Sequence, residues 1–355
     1  MKKVELIRKQ IDSIDKEVLK LLNKRAANTV AIGKLKNSQS KAVYVPSREA
    51  SIFTNLNKMN EGPLSQEQIS NIFKEIISSC RSLESKIKIA YLGPQGTFSH
   101  QASIKHFGLS AEYIPFETIN DVILSVEKNI ADFAVIPIEN STEGAVNTSL
   151  DMLVDTTLNV VSEINLKIQN CLLSKTTLDN IKTVYSHQQP LAQCSIWLKK
   201  NLPNAKIVAV NSTAEASRLA NQNKNSASIA SEVASKLYNL NIVAKSIEDN
   251  RNNWTRFFVL GNINTLKSDK DKTSIIFTIK DKVSTLYHIL SIFSKAGVNL
   301  TKIESRPTKK KVWEYVFFID FNGHISDEKI IKVLDKVKNN SLFLKVLGSY
   351  PQADR

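Results

Sequence analysis

The first residues able to do chemistry are cations lying where a cation is out of place. Val4, Ile7, Ile11, Ile14, Val18 and Leu21 recur at steps of three and four, the stripe of an amphipathic helix. Continued, the stripe runs through Arg25, Asn28, Ile32 and Leu35. An unpaired charge on a buried stripe is expensive. Lys36 comes eleven residues after Arg25, which at about 100° per residue leaves the two cations about 20° apart on one face. Each taken alone suits a solvated or snorkelling side chain; together they favour an anionic ligand. Arg8 precedes Arg25 by seventeen residues and is turned about 100° from it, so it cannot easily reach the same pocket within its own chain. Farther on, Glu84 follows Cys80 by four residues on the inward side of another helical stretch. Beside cations it can form an ion pair or, in an enclosed anion pocket, keep its proton and donate a hydrogen bond.

A second group lies in polar loops that follow short apolar strands. Gly93-Pro94-Gln95-Gly96-Thr97-Phe98-Ser99 puts two glycines and two hydroxyls where a helix begins, a place suited to a carboxylate or phosphate. It has neither the Gly-Lys-Ser/Thr of a nucleotide-binding loop nor dinucleotide spacing. Similar loops carry Glu139-Asn140-Ser141-Thr142-Glu143, Ser186-His187-Gln188-Gln189 with Gln193, and Asn253-Trp254-Thr255-Arg256-Phe257. One such loop is ordinary, because strand-to-helix loops generally carry caps. Four in one region point to a cleft between two α/β lobes. His187 is the tempting general acid there but reads better as structural.

Three kinds of periodicity must position these groups. Residues 1–86 are expected to be all-helical, with a second helix opening near Pro46-Ser47 and a third at the capping box Ser65-Gln66-Glu67-Gln68. Helices this long bury little as a monomer, so a partner chain is expected. Residues 87–266 alternate strands (88–92, 133–138, 160–164, 183–185, 207–210, 228–230, 257–260) with helical stretches, and parallel sheets are predicted. After a charged linker, Lys267 to Lys272, residues 272–351 follow the order βαββαβ of a ferredoxin-like unit.

Composition narrows the class. The 355 residues are 42% hydrophobic and 23% charged, as in a globular protein of two or three domains. Lys and Arg exceed Asp and Glu by 48 to 34, giving +14 spread along the chain, which favours anionic small molecules or plain Lys-rich composition over a nucleic-acid tail. Cys80, Cys171 and Cys194 are far apart, which argues against a zinc site or disulfide framework and for a reducing, cytoplasmic setting. No signal peptide, membrane span, metal or organic cofactor is expected. The basic C-terminal unit, with Lys309-Lys310-Lys311, also admits an RNA-binding reading, although the expected aromatic recognition run is missing. An amino-acid sensor without activity is the other alternative.

Motifs then identify families. Leu6 to Asp15, Leu21-Leu22-Asn23-Lys24-Arg25, Gly33-Lys34-Leu35-Lys36 and Pro46-Ser47-Arg48-Glu49 resemble the all-helical class of chorismate mutase. That resemblance implies a dimer with shared sites. Arg25 and Arg48 would hold the substrate carboxylates, with Arg8 arriving from the partner chain. Lys36 and Glu84 would meet the ether oxygen and Glu49 the ring hydroxyl, with Cys80 also lining the site. The four polar loops, above all Thr255-Arg256-Phe257, resemble prephenate dehydratase, whose fold is two-lobed and similar to periplasmic binding proteins. Thr255 would assist departure of the ring hydroxyl, Asn140, Ser186 and Gln193 would complete the catalytic set, and Thr97, Ser99 and Arg256 would bind substrate. Leu300 to Pro307 resembles the phenylalanine-binding strand of an ACT regulatory domain. The resemblance implies effector contacts from Glu304, Ser305, Arg306 and Pro307, and from Leu286 in Val283-Ser284-Thr285-Leu286, where relatives carry Gly-Ala-Leu. The ligands implied are chorismate, prephenate and L-phenylalanine. A homodimer or larger homo-oligomer is expected, with neither nucleic acid nor membrane as partner.

Overall fold

A run of 36 residues without proline makes the first element, α1 (Lys2–Asn37). Residues 2–37, 43–307 and 315–353 are described by a computed structural model, the side chains of Lys2, Lys36 and Asn37 excepted; Lys309-Lys310-Lys311 and Trp313 lie outside the described residues. Pro46, whose ring presets a helical φ, opens α2 (Pro46–Met59). The capping box opens α3 (Gln66–Glu84): Ser65 Oγ accepts from the Gln68 amide at 3.2 Å, and the Ser65 amide donates to Gln68 Oε1 at 2.9 Å. Only the C-terminal half of α1 packs inward. Residues 3–21 are exposed throughout, and on the apolar stripe exposure runs from 47% at Val18 to 64% at Leu21.

The next region is built as two lobes joined by two crossings. The first lobe comprises β1 (Lys88–Leu92), α4 (Phe98–Phe107), β2 (Glu112–Phe116), α5 (Ile119–Glu127), β3 (Phe133–Asn140), β4 (Gly144–Ala145), α6 (Asn147–Asp155) and β5 (Asn159–Lys167). The chain then enters the second lobe with β6 (Cys171–Ser174), β7 (Thr183–Ser186), α7 (Gln188–Gln193), α8 (Ser195–Asn201), β8 (Lys206–Ala209), α9 (Thr213–Gln222), β9 (Ser226–Ala230), α10 (Glu232–Leu237) and β10 (Asn241–Ala244). It returns through β11 (Trp254–Gly261) to the first sheet, ordered β2-β1-β3-β11-β5. The second sheet is ordered β10-β6-β9-β7-β8. Neither sheet is wholly parallel, contrary to expectation. Because β5 leaves the lobe and β11 re-enters it, β11 runs antiparallel to both β5 and β3. The crossings are tied side by side by Ile168 N to Asn253 O (2.8 Å) and Ile247 N to Asn170 O (3.0 Å).

The C-terminal unit comprises β12 (Asp271–Thr278), α11 (Thr285–Lys295), β13 (Leu300–Pro307), β14 (Tyr315–Asn322), α12 (Glu328–Asn339) and β15 (Phe343–Pro351), with sheet order β13-β14-β12-β15. The charged linker is shorter than predicted. Asp271 and Lys272 already belong to β12 and are buried, since Lys272 pairs with the buried Glu163 of β5 at 2.7 Å. One face of this sheet shares an apolar core with the first lobe, where Ile276, Phe318 and Leu347 join Ile136, Leu150 and Phe258. On the other side of that lobe, Tyr44 from the α1–α2 connection is buried with Phe107 and Phe133. No helix among the described residues is long and apolar enough to cross a membrane.

The docking of β15 on β5 depends on a missing side chain. A Cβ at Gly348 would lie 2.1 Å from the Val160 carbonyl oxygen, a backbone atom that cannot rotate away. Gly348→Ala is therefore expected to lower unfolding stability by about 1–3 kcal/mol, read as a lower urea midpoint. An unchanged midpoint would mean that the strands do not meet this closely.

Candidate active sites

The N-terminal pocket lies between the three helices. Arg25 and Thr29 of α1, Arg48 and Glu49 of α2, and Cys80, Arg81 and Glu84 of α3 line it, together with Val45 from the connection. The fold brings together Arg25 and Glu84, singled out by helical spacing, and Arg48, Glu49 and Cys80, implied by the family resemblance. A Cβ at Gly33 would come within 2.6 Å of Glu84 Cγ, so a glycine inside α1 is what lets Glu84 press against that helix. Among the described residues, Arg25 Nη1 is buried without a hydrogen-bond partner. A buried, unpaired guanidinium nitrogen facing a pocket is a strong donor awaiting an anion. Lys36 continues α1 beyond Arg25, and Arg8 sits on the exposed half, about 25 Å away at 1.5 Å per residue. Arg81 was not singled out from sequence. It was legible, since Ile77, Arg81 and Glu84 follow helical spacing on the inward face.

The second site lies at the C-terminal ends of β3 and β7, where the two lobes meet. Thr255 of β11 is paired in register with Asn140 of β3. The Asn140 side-chain oxygen accepts from the backbone amides of Thr142 (3.0 Å) and Glu143 (3.2 Å) and from the Thr142 hydroxyl (2.7 Å). Those donors fix the amide's orientation. Its nitrogen must then donate to Thr255 Oγ1 and to Asn253 Oδ1, both at 2.8 Å. With its oxygen already accepting, the Thr255 hydroxyl keeps its own hydrogen to give away. Glu143 reaches across to the second lobe, accepting from Gln193 at 3.4 Å and from Gln189. Glu143 and Asn253 were quoted within motifs without being chosen as site residues.

The remaining polar residues are more occupied than their motifs implied. Ser186 is fully buried and donates to the Ile229 carbonyl of β9 at 2.7 Å. Thr97 caps α4, accepting from His100 N at 3.3 Å and donating to the Leu92 carbonyl at 3.0 Å; Ser99 is buried in the first turn of that helix. His187 caps α7, which fits its structural reading. At Gly96, whose φ of +91° favours glycine, a Cβ would come 3.1 Å from the Tyr238 ring of the second lobe. Ser231 and Tyr238 donate to the Gly96 and Gln95 carbonyls at 2.7 and 2.9 Å. Among the described residues no cluster of three or more His, Cys, Asp or Glu could hold a metal.

Arg256 is not part of the cleft. Side chains alternate along a strand, so with Thr255 facing the site its neighbour faces away. Arg256 pairs with Glu163 at 2.6 Å and with Asp320 of β14 at 2.5 Å, and it donates to the Tyr350 hydroxyl at 3.0 Å. Burial opposes its charge, but Tyr350, Asp320 and Glu163 outweigh that and hold the guanidinium protonated. Among the expected effector residues, Arg306 pairs with Asp151 of α6 at 3.1 Å. Glu304 is half-buried and Ser305 and Pro307 are exposed on β13, while Leu286 lies in the first turn of α11. Ser284 adopts a left-handed φ of 69° at the turn before α11, a conformation that costs an L-residue about 1–2 kcal/mol.

Comparison with known proteins agrees with this three-part organisation. The family model for chorismate mutase type II matches residues 7–85, that for prephenate dehydratase residues 89–265 and that for the ACT domain residues 273–339. A bifunctional chorismate mutase/prephenate dehydratase of Aquifex aeolicus (strain VF5) is 46% identical over 358 residues, spanning 99% of both chains. Its counterpart in Neisseria gonorrhoeae (strain ATCC 700825 / FA 1090) is 44% identical and covers 98% of this chain and 96% of its own. Among solved structures, the prephenate dehydratase of Arthrobacter aurescens in complex with L-Phe superposes with a TM-score of 0.70. It is 33% identical and covers 76% of this chain and 91% of its own.

The Arg256 cluster gives a stability prediction. Arg256→Met leaves Asp320 buried without its cation and Glu163 with Lys272 alone, and breaking a buried pair costs about 3–5 kcal/mol. Thermal and urea unfolding should show a loss of that size. A loss below about 1 kcal/mol, the range of an exposed pair, would mean that the cluster is not closed as described.

Proposed function

The chain belongs to the bifunctional chorismate mutase/prephenate dehydratase family, and from that premise we propose how its two sites work. It converts chorismate to prephenate and prephenate to phenylpyruvate, an isomerase and a lyase of phenylalanine biosynthesis. Two sites in separate domains carry the two reactions.

The rearrangement of chorismate needs no covalent step. The pocket must fold a flexible dianion into its reactive shape and stabilise charge developing on the ether oxygen. The observation that carries this assignment is the buried Nη1 of Arg25, unpartnered among the described residues, beside Arg48. In this reading the two guanidinium groups take the substrate carboxylates, Glu49 accepts from the ring hydroxyl, Cys80 lines the pocket, and Lys36 and Glu84 meet the ether oxygen. Arg8 completes the pocket of a second copy. The exposed stripe of α1 supports that arrangement, because about six large apolar residues open to water on one helix are costly.

The dehydratase step expels carbon dioxide and water from prephenate, and aromatisation drives it. The leaving hydroxyl needs a proton. Thr255 would donate it, with Asn140 pinning the threonine oxygen and stabilising the charge that builds there. Gln193 and Ser186 shape the opposite wall. L-phenylalanine would act on the ACT unit through β13, whose Lys302 pairs with Glu139 at 2.7 Å, next in sequence to Asn140. Three free, buried cysteines fit a reducing compartment, and we place both reactions in the cytoplasm.

Separate sites predict separable losses. Thr255→Val should abolish phenylpyruvate formation from prephenate and leave chorismate consumption within about twofold of wild type. Arg25→Ala should do the reverse, lowering chorismate turnover by about 100-fold or more, as expected for a charged contact to substrate. Assays of each variant with each substrate check this. Equal loss of both activities in a folded variant would contradict the assignment. Mixing Arg8→Ala with Arg25→Ala chains should restore part of the mutase activity in exchanged dimers. Persistent inactivity after demonstrated subunit exchange would rule out the shared pocket.

A further inference from the structure

We propose that Arg81 is a positioning residue for the chorismate rearrangement, and that through it the dehydratase lobe completes the mutase pocket. This rests on the reading of Glu49 as the group that meets the ring hydroxyl.

Arg81 lies on α3 with only 6% of its surface exposed. Its two terminal nitrogens reach in different directions. Nη1 donates to Glu49 Oε1 at 2.5 Å, and Nη2 donates to the Phe107 carbonyl at 2.7 Å. Phe107 is the last residue of α4, where carbonyls lack partners within their own helix. The guanidinium also lies over the rings of Tyr44 and Phe107, at 5.4 and 5.7 Å from their centroids. The mount is hydrogen-bonded on both sides. Tyr44 is fixed by a 2.6 Å hydrogen bond between its hydroxyl and His106 Nε2, and the Ser110 amide donates to Ser78 Oγ at 3.2 Å. A mutase side chain is thus held by one prong of a fork whose other prong is seated in the dehydratase lobe.

Arginine suits this task and lysine does not. A planar fork binds two acceptors in set directions, whereas an ammonium is a single point charge. Arg81 also opposes protonation of Glu49. Burial pushes the Glu49 carboxyl above its ordinary value; Arg81 is the largest opposing influence, followed by Arg25 and Lys74. Arg48 on α2 and Glu84 on α3 also face the pocket, and Tyr44 and His106 stand behind Arg81. Burial and the cations Lys74, Arg81 and Lys105 push His106 down to about 3, so it is neutral near pH 7.

The test uses the full-length chain, with chorismate kinetics as the readout and prephenate dehydration in the same sample as the check on folding. Arg81→Met should lower mutase kcat/KM by about 10- to 100-fold, the worth of a charged hydrogen bond, and Arg81→Lys should recover only part. The acid limb of the mutase pH profile should move to higher pH in Arg81→Met, because Glu49 loses the cation that opposes its protonation. In a Glu49→Gln background, adding Arg81→Met should cost less than about twofold, since residues acting as a unit are non-additive. Additive losses, or wild-type kinetics in Arg81→Met while Glu49→Gln is impaired, would overturn the link and leave the Glu49 reading standing. Wild-type turnover by Glu49→Gln would overturn that reading and the proposal with it. If Arg81→Met fails to fold, Arg81→Lys decides, and undiminished mutase activity in that variant counts against the proposal.

Discussion

Side chains on a strand must alternate, and β11 turns that constraint into the organisation of the whole molecule. It lies between β3 and β5 in the first sheet, hydrogen-bonded on both edges. Thr255 therefore faces the cleft, and Arg256 has to face the opposite side, where Glu163, Asp320 and Tyr350 receive it. A slip of one residue would exchange the two, burying a charge in the cleft, leaving Asp320 without its cation and Glu163 with Lys272 alone. The register of β11 is held by the same contacts that depend on it. The cleft on one face and attachment of the C-terminal unit on the other are thus coupled through adjacent residues.

The same economy recurs one strand away. Asn140 donates to the Thr255 hydroxyl, and Glu139 beside it is bound by Lys302 of β13. Both halves of the Asn140–Thr255 pair therefore have a neighbour held by an ion pair to the C-terminal unit. β13 and β14 thus contact directly the residues next to Asn140 and Thr255. At the other end of the chain, Arg81 gives the mutase pocket a comparable anchor in the first lobe. The middle region is a scaffold for both neighbours as well as an enzyme.

Much of this was legible in the sequence where interactions are local. The capping box at Ser65, the proline start at Pro46 and the βαββαβ order depend on near neighbours, and each appears as read. The cation on the stripe at Arg25 was a sound signal because a buried charge needs a reason. What escaped notice depends on distant pairing. Lys272 looked like linker because its partner Glu163 lies 109 residues earlier. β2 was not predicted, since Pro115 interrupts it, and it survives as an edge strand where a missing amide is tolerated. Arg256 was grouped with Thr255 by motif, although strand alternation alone would have separated them. Thr97 had the residue type of a ligand contact, but its hydroxyl is used in capping α4.

The central claim is that one chain carries two consecutive reactions in two separate pockets. Its most direct test is a time course of the purified full-length protein with chorismate alone, resolving all three acids. The account predicts that chorismate disappears first, prephenate rises and falls, and phenylpyruvate accumulates to the amount of chorismate consumed. Chorismate that persists, or prephenate that accumulates without phenylpyruvate, would contradict it.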